Sequence, residues 1–77
     1  YQNRVTINRN PNPNYRFALG KAYCGAGNYE RGIIQLKRAI ALNPSNTAFY
    51  QSLADCYLEL GDNETAEKYL NISAQLG

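Results

Sequence analysis

Few side chains in this sequence could do chemistry. Asp55 and Glu59 stand four residues apart, a spacing that puts two carboxylates on one helix face. Such a pair works as acid and base only where its surroundings set the two groups apart, and no catalytic motif precedes it here. The same spacing is ordinary on a solvated face. The chain has no histidine and no glycine-rich phosphate loop. It has two cysteines, Cys24 and Cys56, with no CxxC pair, so no zinc site, no other metal and no cofactor are expected. A disulfide framework at this size needs more cysteines, so two buried free thiols are expected. Asn63-Glu64-Thr65 and Asn71-Ile72-Ser73 fit the glycosylation acceptor pattern, which is short enough to arise by chance. What remains is recognition rather than catalysis, and no enzyme is expected.

Charge is the first clue to what is recognised. The net charge is only +2, but residues 1–46 set seven cations against Glu30 and residues 47–77 set Lys68 against five acids, giving halves of +6 and −4. The arginines are scattered and show no groove-reading motif, so nucleic acid is not an expected partner. A basic half that meets the acidic half of a neighbouring copy is the sharper alternative to two solvated faces. No apolar run is long enough to span a membrane, and no targeting stretch is evident. The absence of methionine, even at position 1, makes the chain look like a piece of something longer. A cytoplasmic location is the default expectation. One small domain fits in 77 residues, and it buries only about 60% of its unfolded surface.

The elements that must position these residues are helices. Ile33, Leu36, Ala39 and Ile40 form an apolar stripe at helical spacing. Asn28 is placed to cap that helix, and Asn43-Pro44 stops it because proline cannot continue a helix. Gly32 inside it costs about 1 kcal/mol relative to alanine. An earlier helix runs over Asn14–Gly25, with Pro13 in its first turn and Gly25-Ala26-Gly27 as its stop. A third, from Thr47 to Leu60, is capped by Ser45 or Asn46 and ends at Gly61. Phe49, Tyr50, Leu53, Cys56, Tyr57 and Leu60 mark its buried side. A fourth, capped by Asp62 or Asn63, reaches Leu76, with Ala66, Tyr69, Leu70 and Ser73 or Ala74 inward. Residues 1–12 form a separate N-terminal segment. Val5 and Ile7 alternate as in a strand, and the stretch reads equally as the end of a preceding helix.

Shifting the chain by 34 residues lays Leu19 on Leu53, Tyr23 on Tyr57, Gly27 on Gly61, Leu36 on Leu70 and Leu42 on Leu76. A period of this size is the mark of a solenoid, in which copies of a helical hairpin stack to share a core. On these residues the chain resembles the tetratricopeptide repeat (TPR) family. Leu19-Gly20, Tyr23, Gly27, Tyr29, Ala39 and Pro44 match the pattern in a first repeat at 13–46. Tyr50, Leu53-Ala54, Tyr57, Gly61, Ala66 and Leu70 match it in a second at 47–77. The resemblance implies an all-α fold of stacked antiparallel helix pairs in a short right-handed solenoid. Three positions depart from the pattern: Arg16 stands where a large aromatic is usual, and Gly32 and Ser73 replace alanines. Looser packing is expected there.

The resemblance further implies a protein–protein interaction module, in which the first helix of each repeat lines a concave groove holding a partner's peptide or helix. Carried over by position, the groove residues are Asn14, Phe17, Lys21, Gln51, Ser52 and Asp55, with Cys24, Ala48, Leu58 and Glu59 beside them. Phe17, as an exposed aromatic, is the natural anchor. One family subtype clamps the carboxylate terminus of chaperones. The matching positions here hold Phe17, Lys21 and Ser52, and only Lys21 has a suitable charge, so that clamp is not expected. Lys21 and Asp55 suggest a polar or helical segment instead. The alternative is a structural self-assembly unit, a homo-oligomer joined through its open ends at Tyr69, Ile72 and Leu76. Two repeats are fewer than the three or more that a stable solenoid usually needs.

Overall fold

Three of the four helices begin at a side-chain cap, and both hairpin turns close on a glycine, which serves backbone groups that a helix leaves unpaired. The computed structural model describes residues 12–77, so expectations for the earlier residues lie outside it. Four helices occupy the described residues: α1 (Pro13–Gly25), α2 (Tyr29–Leu42), α3 (Thr47–Leu60) and α4 (Asn63–Leu76). Asn12 caps α1 by accepting the Asn14 amide at 2.9 Å, and Pro13 takes the first helical position. Asn46, not Ser45, caps α3 through the Ala48 amide at 3.0 Å. Ser45 donates to Asn43 Oδ1 instead. Asp62 caps α4, accepting both the Thr65 amide at 3.2 Å and its hydroxyl at 2.7 Å. Asn28 makes no such bond, so α2 starts without the expected side-chain cap.

The two hairpin turns are built alike. The Asn28 amide donates to Tyr23 O and the Gly27 amide to Cys24 O; one period later Asp62 donates to Tyr57 O and Gly61 to Leu58 O. This double bond pattern needs a left-handed residue, and Gly27 and Gly61 supply it at φ 87° and 98°. Gly25, the other glycine of the first stop, closes the helix without taking that conformation. Such short turns force α1 against α2 and α3 against α4 as antiparallel pairs. Between the pairs, residues 43–46 carry the chain from α2 into α3. Tyr50 Oη pins this linker by donating to Pro44 O at 2.7 Å.

The core lies between the pairs as much as within them. Leu36 of α2 and Leu53 of α3 are fully buried, and with Cys24 and Cys56 they form its centre. Tyr29, Ile33 and Ile40 pack around them. Leu60 and Leu70, expected to face inward, are instead exposed, as is Ala74. Both leucines lie on the second helix pair, and among the described residues no helix covers them. Among the described residues no helix is long and apolar enough to cross a membrane.

The three departures from the repeat pattern do not loosen the packing. Gly32 is buried against α1, where an added Cβ would collide with Cys24 Sγ and lie 2.8 Å from Gly20 O. Gly20 faces Leu36, whose Cγ would be 2.7 Å from a Cβ there. The glycine pair therefore sets how closely α1 and α2 cross. Ser73 is buried and donates its hydroxyl to Thr47 O at 3.4 Å, tying α4 to the start of α3. Arg16 is buried too, its Nη1 donating to Gln35 Oε1 at 2.9 Å and its guanidinium 5.7 Å from the Tyr15 ring centre. An arginine thus fills a place that an aromatic, Tyr50, fills one period later.

Gly32→Ala tests this reading of the crossing. Helix propensity alone would make the alanine variant more stable by about 1 kcal/mol. Overpacking reverses the sign, and a loss of about 1–3 kcal/mol is expected from urea denaturation. Gly25→Ala, where an added Cβ meets nothing within 4 Å, should lose no stability.

Candidate binding groove

Two helix stripes converge on the concave side. Along α1 run Phe17, Lys21 and Cys24; along α3 run Ser52, Asp55, Cys56 and Glu59. Helical periodicity puts each set on one face, and the stacking of the pairs turns the faces toward each other. An open pocket of about 160 Å³ lies between them, lined by Lys21, Cys24, Gly25, Ser52, Asp55, Cys56 and Glu59. Of the six groove residues expected from the sequence, Lys21, Ser52 and Asp55 meet in this pocket. Asn14 and Gln51 are exposed on the same helices but do not line it.

Phe17 is not the exposed anchor expected. It is half-buried, its ring 4.9 Å from that of Phe49, so it serves first as packing between α1 and α3. Its outer side supports Lys21, whose Nζ lies 5.0 Å from the ring centre. A cation held over an aromatic face gains about 0.5–1 kcal/mol at an exposed site. Lys21 therefore rests against Phe17 on the α1 side of the pocket, and Asp55 and Glu59 line it from α3.

The pocket floor overturns the expectation of free thiols. Cys24 and Cys56 form a disulfide, with Cα atoms 5.8 Å apart. Both cysteines are buried, Cys24 with an edge toward the groove. Counting cysteines against chain length missed this bridge because a single bond between stacked repeats needs no framework. One signal was available: the two residues are 32 apart, near one repeat period, so equivalent helices bring them to facing positions. No group of three or more His, Cys, Asp or Glu side chains among the described residues is arranged to hold a metal.

A tetratricopeptide repeat family model matches residues 23–74. The chain belongs to the tetratricopeptide repeat family. It is 34% identical over 64 residues to the TPR repeat-containing thioredoxin TTL4 of Arabidopsis thaliana, a match spanning 83% of this chain and 9% of that protein. Its fold superposes on two solved chains of the TPR protein MamA. For MamA MSR-1 the TM-score is 0.86 at 28% identity, covering 94% of this chain and 41% of that one. For MamA AMB-1 the TM-score is 0.87 at 27% identity, covering 96% and 44%. The chain thus spans less than half the length of each. As a TPR domain it falls in a class that generally serves as protein-interaction modules.

The bridge makes a direct prediction. Unfolded in denaturant without reductant, the protein should show no titratable thiol. Closing a loop of this separation stabilises by about 3–4 kcal/mol in the chain-entropy account, and a dithiol reductant should lower the unfolding free energy by that order. Two free thiols in the unreduced protein would contradict the bridge.

Proposed function

We propose that the groove between α1 and α3 binds a segment of a partner protein and that the domain performs no catalysis. The observation that supports this most is the convergence of Lys21, Ser52 and Asp55, from two separate helices, into one open concave pocket. Lys21 on one lip and Asp55 with Glu59 on the other suit a polar segment carrying both signs, extended or helical. Ser52 adds a hydroxyl that can donate to or accept from its backbone. Cys24 and Cys56 fix the distance between the lips, so the site is organised before the partner arrives, which lowers the ordering cost of binding. The absence of histidine from the chain argues against acid–base chemistry at this pocket. The disulfide favours an oxidising compartment over the cytoplasm expected from the sequence.

The test is selection of peptides from a library on the immobilised domain, followed by titration calorimetry of the selected sequences. Lys21→Ala and Asp55→Ala should each weaken binding by about tenfold, the scale of a residue at the centre of an interface, with helicity unchanged. Peptides that bind both variants as well as the wild type would place the site elsewhere.

A further inference from the structure

Two contacts set the distance between α1 and α3 along the groove. Phe17 meets Phe49, and seven residues further along each helix Cys24 is bonded to Cys56. Seven residues are two helical turns, about 10 Å, so the two contacts stand well apart on matching faces. The pocket lies at the Cys24–Cys56 end. Lys21 comes one turn before Cys24 on α1, and Asp55 and Glu59 flank Cys56 on α3.

The sulfur bond is open to the groove on one side. Cys24 and Cys56 both line the open pocket, Cys24 with 8% of its surface exposed and Cys56 with 1%. On the α2 side Cys24 Sγ is backed by Gly32, where an added Cβ would collide with it. A reagent therefore comes from the groove and meets Cys24 first. Lys21 places a cation on that approach, which favours an incoming thiolate, while Asp55 and Glu59 oppose it from α3. Cys56 is provided for once the bond is broken. Its Sγ lies 3.7 Å from Tyr29 O, so a thiol there has a carbonyl to donate to.

We infer that the Cys24–Cys56 bond is a redox gate on the binding groove, opened in the folded protein by a dithiol that enters at Cys24. One thiolate of the dithiol bonds to Cys24 Sγ and expels Cys56 as a thiolate, which takes up a proton. The second thiolate bonds to the first sulfur and expels Cys24, which is protonated in turn. The dithiol leaves as a disulfide, having given up two electrons and two protons. The pocket end of α1 then parts from α3, with the Phe17–Phe49 contact and the Leu36–Leu53 cluster still closed. Lys21 and the two carboxylates lose their fixed spacing, and the partner segment is held less tightly. This effect on binding rests on the groove being the binding site, whereas the opening of the bond does not.

Reduction is read first, with no partner present. The folded protein is treated with dithiothreitol in the absence of denaturant, alkylated with N-ethylmaleimide and weighed by mass spectrometry. Both cysteines should be modified while circular dichroism keeps its helical signal. With the monothiol glutathione and an acid quench, peptide mapping should find the mixed disulfide on Cys24 in clear excess over Cys56. Binding is read next, with peptides selected on the oxidised domain. Reduction should weaken their binding by about tenfold, within the usual range for coupling between two sites, and reoxidation should restore it. The double variant Cys24→Ala with Cys56→Ala should bind as the reduced protein does, with or without reductant. If the reduced chain loses helicity, both forms are compared in trimethylamine N-oxide, which favours the compact state. A bond that resists dithiothreitol until denaturant is added would overturn the inference. So would a mixed disulfide confined to Cys56, a reduced chain that unfolds even in the osmolyte, or one that binds as tightly as the oxidised form. Peptides indifferent to Lys21→Ala in the oxidised protein would instead sink the groove as the site, and with it the gate's effect on binding, whatever reduction does.

Discussion

The structure depends on one constraint: a helical hairpin of this size cannot bury its own apolar face. Leu36 belongs to the first hairpin and Leu53 to the second, and both are fully buried in one cluster that the two hairpins share. Burying such a side chain is worth about 1.5–3 kcal/mol, so neither hairpin has a core worth the name without its neighbour. Everything on the concave side follows from this contact. The groove has one wall on α1 and the other on α3, and these walls belong to different hairpins.

Two further devices sharpen that contact. The Gly20–Gly32 crossing brings α1 and α2 close enough for Leu36 to lie against α1, and the Cys24–Cys56 bond then ties α1 to α3. The equivalent crossing of α3 and α4 uses Ala54 and Ala66, both fully buried. The two pairs therefore share a plan and differ in how tightly they follow it. The crossing glycines lie on the pair that carries the basic lip of the groove, and the disulfide joins that pair to the other.

Much of this was legible in the sequence. The stops at Gly27, Gly61 and Pro44 located the helices to within a residue, because left-handed backbone and a missing amide leave few alternatives. The family resemblance implied Lys21, Ser52 and Asp55 as residues of the helices that line a groove. What escaped was whatever depends on a neighbour. Gly32 read as a weak helix residue, since propensity does not register the sulfur and carbonyl of another helix. Phe17 read as exposed because its partner, Phe49, lies 32 positions away. Leu70 read as buried because it repeats Leu36 one period later, but among the described residues nothing covers it as α3 covers Leu36. Arg16 read as a defect because its partner, Gln35, sits on the facing helix.

The central claim is that the two hairpins form a single unit and that the groove exists only as long as they do. Native-state hydrogen exchange in low denaturant measures it most directly. The amides around Leu36 in α2 and those around Leu53 in α3 should open with the same free energy, and both should respond to denaturant as one transition. If α3 and α4 exchanged through a separate, lower-energy opening while α2 stayed protected, the hairpins would be independent. The shared core would then not be what holds the groove.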